Sequence, residues 1–488
     1  MRVAIIAAEC EPWAKTGGLA DVVDAQARAL GRLPAAGADL DAPVDVFLPR
    51  YRSVPVPAGA AAERPLAIAD PAGEGTLTVS IVDVAAQGYV LRLVDFAPAF
   101  DRDGFYDHPD DAWRFAVFCR AALAALARDP VQPDLVHVND WHAAPVLLER
   151  ARGVAVGDPF LSRLAVLATV HNLAYHGWTP AAKLGQLGLR AGEPLAGDNP
   201  HGIDLLLTAI ERADLVNTVS PRFAREALTP EFGMGLDGEL LARGDRFFGI
   251  LNGLDPETWN PATDPVLASP FSFASPGGKA ACRRDLLGRL GFDPGDDRPL
   301  LAMIGRLDTL KGFDLLAAAA PSLLADGARI VVQGNGMAAL ADPIRSLAAA
   351  APDRVALIDR FDRDMARRIY AGADLFVMPS RSEPCGQGQM IALRYGTPPV
   401  VRLTGGLADS VVDVFADPDG GTGFVFDDPT PEALADAVRR AMTLRASDPA
   451  AWAALVARGM AVDFAWDHTA APAYLEAYGR AIAIHRGG

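Results

Sequence analysis

The sequence predicts an α/β protein of two doubly wound domains, each a parallel sheet covered by helices on both faces. Three observations carry this. Short, nearly continuous apolar runs alternate with longer segments whose apolar residues recur at helical spacing, the pattern of strands buried on both faces. The alternation breaks between residues 255 and 299, which are rich in Pro, Gly, Ser and Asp, and then resumes. The 488 residues exceed what one core ordinarily holds.

In the first half, the strand-like runs are 3–8 (VAIIAA), 44–48 (VDVFL), 89–94 (YVLRLV), 135–138 (LVHV), 164–170 (LAVLATV) and 215–219 (LVNTV). Residues 111–128 carry apolar side chains at helical spacing. The break holds one short helical stretch near 279–290. Strand-like runs then return at 300–304, 330–332, 355–358, 375–378 and 399–401. The tail from residue 464 has helical character, with Trp466, Tyr474 and Tyr478, and is expected to return to the first domain. The expected divisions are 1–254, 255–463 and 464–488. Two such sheets are expected to face each other across a central cleft, with ligand-binding loops at the carboxyl ends of their strands.

Composition narrows the function. Asp and Glu number 61 against 45 Lys and Arg, a formal charge of −16. That field opposes nucleic acid and anionic lipid. The four cysteines, Cys10, Cys119, Cys282 and Cys385, lack paired spacing, which argues against a disulfide framework and for a reducing compartment. The first apolar run is short and is followed at once by Glu9 and Glu11. No run is long enough to span a bilayer. The expectation is a cytoplasmic protein that uses neither membrane nor nucleic acid.

The segment TGGLAD occurs twice, at Thr16 and at Thr404. Each copy is expected between a strand and a helix. Paired glycines let a ligand approach the backbone, and a helix N-terminus favours anions. The Asp of each copy is expected in the first helical turn. A plain tight turn is the alternative for either copy.

Residues 305–312 (GRLDTLKG) set Arg306 and Lys311 after a strand in an otherwise acidic chain. Such a pair suits a diphosphate and stabilises it as a leaving group; solvated surface cations are the alternative. Residues 380–389 (SRSEPCGQGQ) follow the strand-like run at 375–378. Glu383 there suits sugar hydroxyls, or else caps the following helix, while Cys385 reads as a small packing residue. His137 and His142 lie five apart, but no carboxylate or cysteine set near them in sequence completes a metal site. Polar residues at successive strand ends, as in 137–142 (HVNDWH) and 169–173 (TVHNL), read better as hydroxyl ligands or electrostatic groups.

In these motifs the chain resembles the bacterial glycogen synthases and plant starch synthases. The resemblance runs through 15–22, 137–142, 169–177 (TVHNLAYHG), 219–226 (VSPRFARE), 249–255 (GILNGLD), 306–312, 383–386 (EPCG) and 395–409. It implies a GT-B fold and transfer of glucose from a nucleoside diphosphate glucose, ADP-glucose in most bacteria. The acceptor is the non-reducing end of an α-1,4-glucan, and the configuration is retained. No metal or cofactor is implied, because Arg306 and Lys311 take the place of a divalent ion. Lys15, Gly17 and Gly18 would hold the donor, and Asp21 would join them or order the loop. Asp140 and Glu383 would bind glucose hydroxyls. His171 would lie against the reacting sugar, its backbone carbonyl supporting positive charge at the anomeric carbon. Asn172, Asn252, Cys385, Gly386, Thr404, Gly405 and Gly406 would line the substrate, with Tyr106, in 101–107 (DRDGFYD), stacking on the acceptor. Front-face departure and attack is the implied mechanism, with Glu383 not a covalent nucleophile.

Some positions depart from the family pattern. Asn139 stands where the family has His, Leu207 where it has Lys, and residues 387–391 (QGQMI) where it has Leu-Thr-Gln-Leu-Tyr. Other readings are a related transferase with another donor or a small acceptor, a non-catalytic glucan-binding relative, and a pyridoxal-dependent phosphorylase of the same architecture.

Overall fold

The computed structural model describes residues 1–487 other than 42, 58, 74, 197 and 198. The chain divides into two compact units. The first comprises Met1–Val219, Ala224–Gly253 and Trp466–Gly488; the second comprises Ser220–Phe223 and Leu254–Ala465.

The strands of the first unit are β1 (Val3–Ile6), β2 (Val44–Pro49), β3 (Arg64–Ala69), β4 (Thr76–Ala85), β5 (Tyr89–Asp95), β6 (Leu135–Asn139), β7 (Ala165–Val170), β8 (Trp178–Pro180), β9 (Gly202–Asp204), β10 (Leu215–Thr218) and β11 (Phe247–Gly249). Nine form one sheet in the order β11-β10-β7-β6-β1-β2-β5-β4-β3, and β8 and β9 form a separate ribbon. The central strands are parallel and fully buried. Their apolar runs predicted them because a strand covered on both faces needs no polar face. The edge differs: β4 runs antiparallel to β5 and to β3. Its sequence TLTVSIVDVA alternates exposed and buried positions, so a search for continuous apolar runs passes over it.

The second unit has a six-stranded, wholly parallel sheet. Its strands are β12 (Leu300–Ile304), β13 (Arg329–Gln333), β14 (Val355–Ile358), β15 (Leu375–Met378), β16 (Pro399–Arg402) and β17 (Phe424–Phe426), ordered β14-β13-β12-β15-β16-β17. Leu301 and Met303 of β12 enter one core with Phe313, Leu323 and Val332. Leu300 and Ala302 enter another, with Leu286, Phe376 and Tyr395. Alternate residues of one apolar strand thus serve two cores, one on each face of the sheet. The helix read near 279–290 is Gly278–Arg289.

Strand order turns outward in both directions from β1 in the first sheet and at the β12–β15 pair in the second. Doubly wound sheets bind ligands at such switch points, beyond the strand carboxyl ends.

The C-terminal helix Ala470–Gly487 packs on the first unit, as the sequence suggested. A buried chain of hydrogen bonds holds it there. The carbonyl oxygen of Asn217 accepts from the Thr169 hydroxyl at 2.7 Å, so Thr169 must accept from His137 Nε2 at 2.6 Å. His137 Nδ1 then accepts from the Tyr478 hydroxyl at 3.0 Å, and the Asn217 amide donates to the Tyr474 hydroxyl at 3.2 Å. Burial pushes the His137 pKa down to about 3, which keeps the ring neutral in this chain of bonds. Among the described residues no helix is long and apolar enough to cross a membrane.

Candidate active site

In the first unit the predicted residues lie beyond the carboxyl ends of neighbouring strands. Asp140 follows β6 and His171 follows β7. Asp140 has a left-handed backbone, φ 56°, which is strained for a residue with a side chain but easiest for Asn and Asp. Its carboxylate accepts the His171 N–H at 2.7 Å. Burial raises the Asp140 pKa to about 7, opposed by the hydrogen bonds from the backbone of His171 and Asn172. Burial lowers that of His171 to about 3, so His171 is a neutral ring. The ring meets the fully buried Asn139 through Nε2, 2.9 Å from its Oδ1. The Asn172 side-chain oxygen accepts the Ala174 N–H at 2.9 Å and turns the loop. Asn252, beyond β11, is buried, and its Oδ1 has no hydrogen-bond partner among the described residues. Such an orphaned acceptor fits a ligand contact.

The first TGGLAD opens the fifteen-residue helix Gly18–Arg32, with Asp21 in its first turn as predicted. A Cβ built on Gly17 or Gly18 would meet nothing within 4 Å. Neither residue has a positive φ. The protein's own packing therefore does not demand glycine at either place, and space is left above the backbone. Lys15 Nζ pairs with Asp21 at 2.6 Å and Glu11 at 3.4 Å, so Asp21 orders the loop cation.

Glu9 was not predicted, and it anchors this loop. Its buried carboxylate accepts from the Thr16 N–H and hydroxyl, both at 2.6 Å, the Gly17 N–H at 3.0 Å and the Tyr106 hydroxyl at 2.7 Å. The available signal was an acid directly after a buried strand. Tyr106 is correspondingly tied down: its hydroxyl is bonded to Glu9 and its ring lies 4.6 Å from that of His142. Burial, reinforced by Tyr51 and Glu9, raises its phenol well above the usual range.

In the second unit, the loop after β12 carries Arg306 and Lys311, and the loop after the adjacent β15 carries Glu383. Asp308 shapes the first loop by accepting the Leu310 and Lys311 N–H groups at 3.0 and 3.1 Å. It also pairs with the exposed Arg306 at 3.1 Å. Lys311 Nζ reaches both oxygens of Glu383, and Ser380 adds a hydroxyl at 3.1 Å. Glu383 is buried. Gly312 has φ 76°, and a Cβ there would lie 2.2 Å from the Pro379 carbonyl; this close approach brings the two loops together.

The second TGGLAD differs physically from the first. It opens a helix of six residues, Gly405–Ser410. Asp409 therefore lies outside the first turn, contrary to expectation, and the short helix carries little of the predicted dipole. Thr404, Gly405 and Gly406 are buried. A Cβ on Gly405 would lie 1.9 Å from the Glu383 carbonyl, and one on Gly406 2.0 Å from that of Cys385. The Gly406 N–H donates to the Glu383 carbonyl at 3.1 Å. These glycines let the backbone press against the loop that presents Glu383. Cys385 is buried, and Gln389 donates to its carbonyl and to that of Gly386, both at 3.1 Å.

The departure at Gly388 has a packing reason. A Cβ there would lie 2.9 Å from the Phe376 ring, so the expected threonine does not fit. Ile391, in place of an aromatic, is buried in the core of Phe376 and Tyr395. Leu207 lies in the helix Leu205–Arg212, its N–H capped by Asp204 at 2.9 Å. Among the described residues no group of three or more His, Cys, Asp or Glu side chains is arranged to hold a metal ion.

Two doubly wound parallel units, with a carboxylate and a neutral histidine at strand ends in one and a paired cation and carboxylate in the other, define the GT-B glycosyltransferase class. Residues 2–242 match the family described as the starch synthase catalytic domain, and residues 292–454 match glycosyl transferases group 1. The glycogen synthase of Syntrophotalea carbinolica is 40% identical over 99% of this chain and 100% of its own length. That of Anaeromyxobacter sp. is 42% identical over 96% of this chain and 97% of its own. The catalytic domain of starch synthase IV from Arabidopsis thaliana, solved with ADP and acarbose, superposes with a TM-score of 0.89 at 32% identity, covering 99% of both chains. Sucrose-phosphate synthase from Thermosynechococcus elongatus shares the fold, with a TM-score of 0.60 at 20% identity over 99% of each chain. The chain belongs to the starch and glycogen synthase family of retaining glycosyltransferases.

Proposed function

We propose that this protein is a metal-independent, cytoplasmic glycogen synthase, which transfers glucose from ADP-glucose to the non-reducing end of an α-1,4-glucan. The observation that carries the reading is the Lys311–Glu383 pair beside Arg306, on adjacent strand ends at a switch point of a strongly acidic protein. The donor's diphosphate takes the two cations, and Glu383 and Asp140 accept hydrogen bonds from the glucose hydroxyls. The bond from the anomeric carbon to the diphosphate breaks, and its electron pair goes to the phosphate oxygen, where Arg306 and Lys311 neutralise the charge. The carbonyl of the neutral His171 supports positive charge at the anomeric carbon. The acceptor 4-hydroxyl attacks from the same face, and its proton passes to the departing phosphate oxygen. Lys15, with Gly17 and Gly18, holds the donor, and Asn252 offers its buried side-chain oxygen.

The test is release of nucleoside diphosphate from ADP-glucose and from UDP-glucose, with glycogen and EDTA present. Glycogen-dependent release from ADP-glucose is expected. UDP-glucose belongs in the test because Gly388 and Ile391, in the helix Gly388–Arg394 that follows Glu383, depart from the family pattern. Release from UDP-glucose alone changes the donor; release that requires a divalent ion removes the proposed role of the two cations; no release from either removes the reading.

A further inference from the structure

Asn139 is fully buried at the end of β6 and touches two groups of different kinds. Its Nδ2 donates to the backbone carbonyl of Ile6, in β1, at 3.4 Å. Its Oδ1 lies 2.9 Å from His171 Nε2. A backbone carbonyl accepts and never donates, so the nitrogen side of the amide must face Ile6. The oxygen side then faces His171 and can only accept. The nitrogen it meets must therefore carry the ring proton. Because burial keeps the ring neutral, the other nitrogen, Nδ1, is bare.

We propose that Asn139 is a positioning residue that holds His171 in the Nε2–H tautomer, so that Nδ1 offers a lone pair to a substrate hydroxyl. The second half of this statement rests on the proposed placement of His171 against the sugar. Two consecutive residues then divide the work. Asn139 fixes the ring, and Asp140 fixes the backbone through the His171 N–H. A histidine at 139 presents either a donor or an acceptor according to its own tautomer. An asparagine whose amide is oriented by Ile6 presents an acceptor only.

The test starts from the full-length protein carrying ¹⁵N-labelled histidine. A His171→Gln variant assigns the His171 resonances by their loss. The wild type is expected to show a protonated Nε2 and an unprotonated Nδ1 near neutral pH. Asn139→Leu, close in size and without polar atoms, is expected to give a tautomer mixture and to lower kcat by about 10- to 100-fold, with the affinity for ADP unchanged. Asn139→His, whose ring can present either a donor or an acceptor, is expected to admit both His171 tautomers and to keep more turnover than Asn139→Leu. A wild-type ring protonated at Nδ1 overturns the proposal, as does an Asn139→Leu ring that stays wholly Nε2–H. Wild-type turnover in Asn139→Leu alongside a mixed tautomer overturns the catalytic half. If Asn139→Leu fails to fold, the wild-type spectrum and Asn139→His still decide. The spectra do not depend on glucose transfer, so a wild type inactive with every donor counts against the proposed function and leaves the tautomer assignment standing.

Discussion

Lys311 Nζ lies 2.9 and 2.7 Å from the two carboxylate oxygens of Glu383. The cation assigned to phosphate and the carboxylate assigned to sugar bond to one another. A diphosphate must therefore compete with Glu383 for Lys311. Replacing Glu383 with Gln removes that competitor while keeping the shape. We expect Glu383→Gln to lower kcat by about a hundredfold or more, the scale of losing one preorganised polar group, with ADP binding as tight as in the wild type or tighter. Lys311→Ala should weaken both, and it should lower Tm because it leaves a buried carboxylate without its cation. Titration calorimetry with ADP beside steady-state kinetics checks this. Weaker ADP binding by Glu383→Gln would show that the carboxylate helps to hold the nucleotide.

The two TGGLAD copies should respond oppositely to alanine. At Gly17 and Gly18 the added methyl enters open space, so folding should be unaffected, within about 0.5 kcal/mol. The donor KM should rise if the ligand occupies that space. At Gly406 the methyl would lie 2.0 Å from the Cys385 carbonyl. Overpacking against backbone costs about 1–3 kcal/mol or more, so Gly406→Ala should lower Tm and disturb Glu383. Thermal melts of the three variants, read beside their donor KM values, separate the two roles. A Gly17→Ala or Gly18→Ala variant that melts early would tie those glycines to packing instead.

This contrast also shows where the sequence stops being legible. The two share six letters and a strand before them, and a local pattern carries nothing more. What separates them is the neighbour: open space above Gly17, the 383–385 backbone above Gly405 and Gly406. The central strands were readable because LVHV or LLAMI must be covered on both faces wherever it sits. β4 is not legible as a continuous apolar run because its buried positions largely alternate, and β11 and β17 are not because three residues hold too little pattern. Glu9 escaped because its partners, Thr16, Gly17 and Tyr106, are spread over almost a hundred positions. Gly388 looked like a lost threonine until the Phe376 ring supplied the reason.

Glu9 yields a prediction of its own. Its two oxygens accept four hydrogen bonds from the glycine loop and Tyr106. Glu9→Gln turns one oxygen into a donor facing other donors. The loop should lose its anchor, with Tm lowered by a loss of about 1–3 kcal/mol and a raised donor KM. Tyr106→Phe removes one of the four bonds and should be milder in both. Equal effects of the two variants would mean that the Tyr106 contact, and not the loop amides, is what Glu9 supplies.

Acid sensitivity follows from three histidines, the buried His137 and His142 and the half-buried His171. Burial holds His137, His142 and His171 at pKa values of about 3, against about 6.5 in an unfolded chain. Between these values the unfolded chain binds each proton and the folded one does not. The stability they confer is complete above about pH 6.5 and is lost as pH falls toward 3. Asp140 acts in the opposite sense. Its pKa of about 7 means that the folded state keeps a proton which the unfolded chain has lost above about pH 4. Near pH 5 these four groups give three protons taken up on unfolding and one released, a net uptake of about two. Stability should then fall by about 3 kcal/mol for each pH unit of acidification there. Urea unfolding at a series of pH values measures the slope. His142 is the test residue, because its buried Nδ1 has no hydrogen-bond partner among the described residues and its ring packs between those of Trp141 and Tyr106. His142→Phe should remove one proton from the count and flatten the slope by about 1.4 kcal/mol per pH unit. An unchanged slope would mean that His142 is already protonated in the folded protein, and that water or a counter-charge reaches its ring.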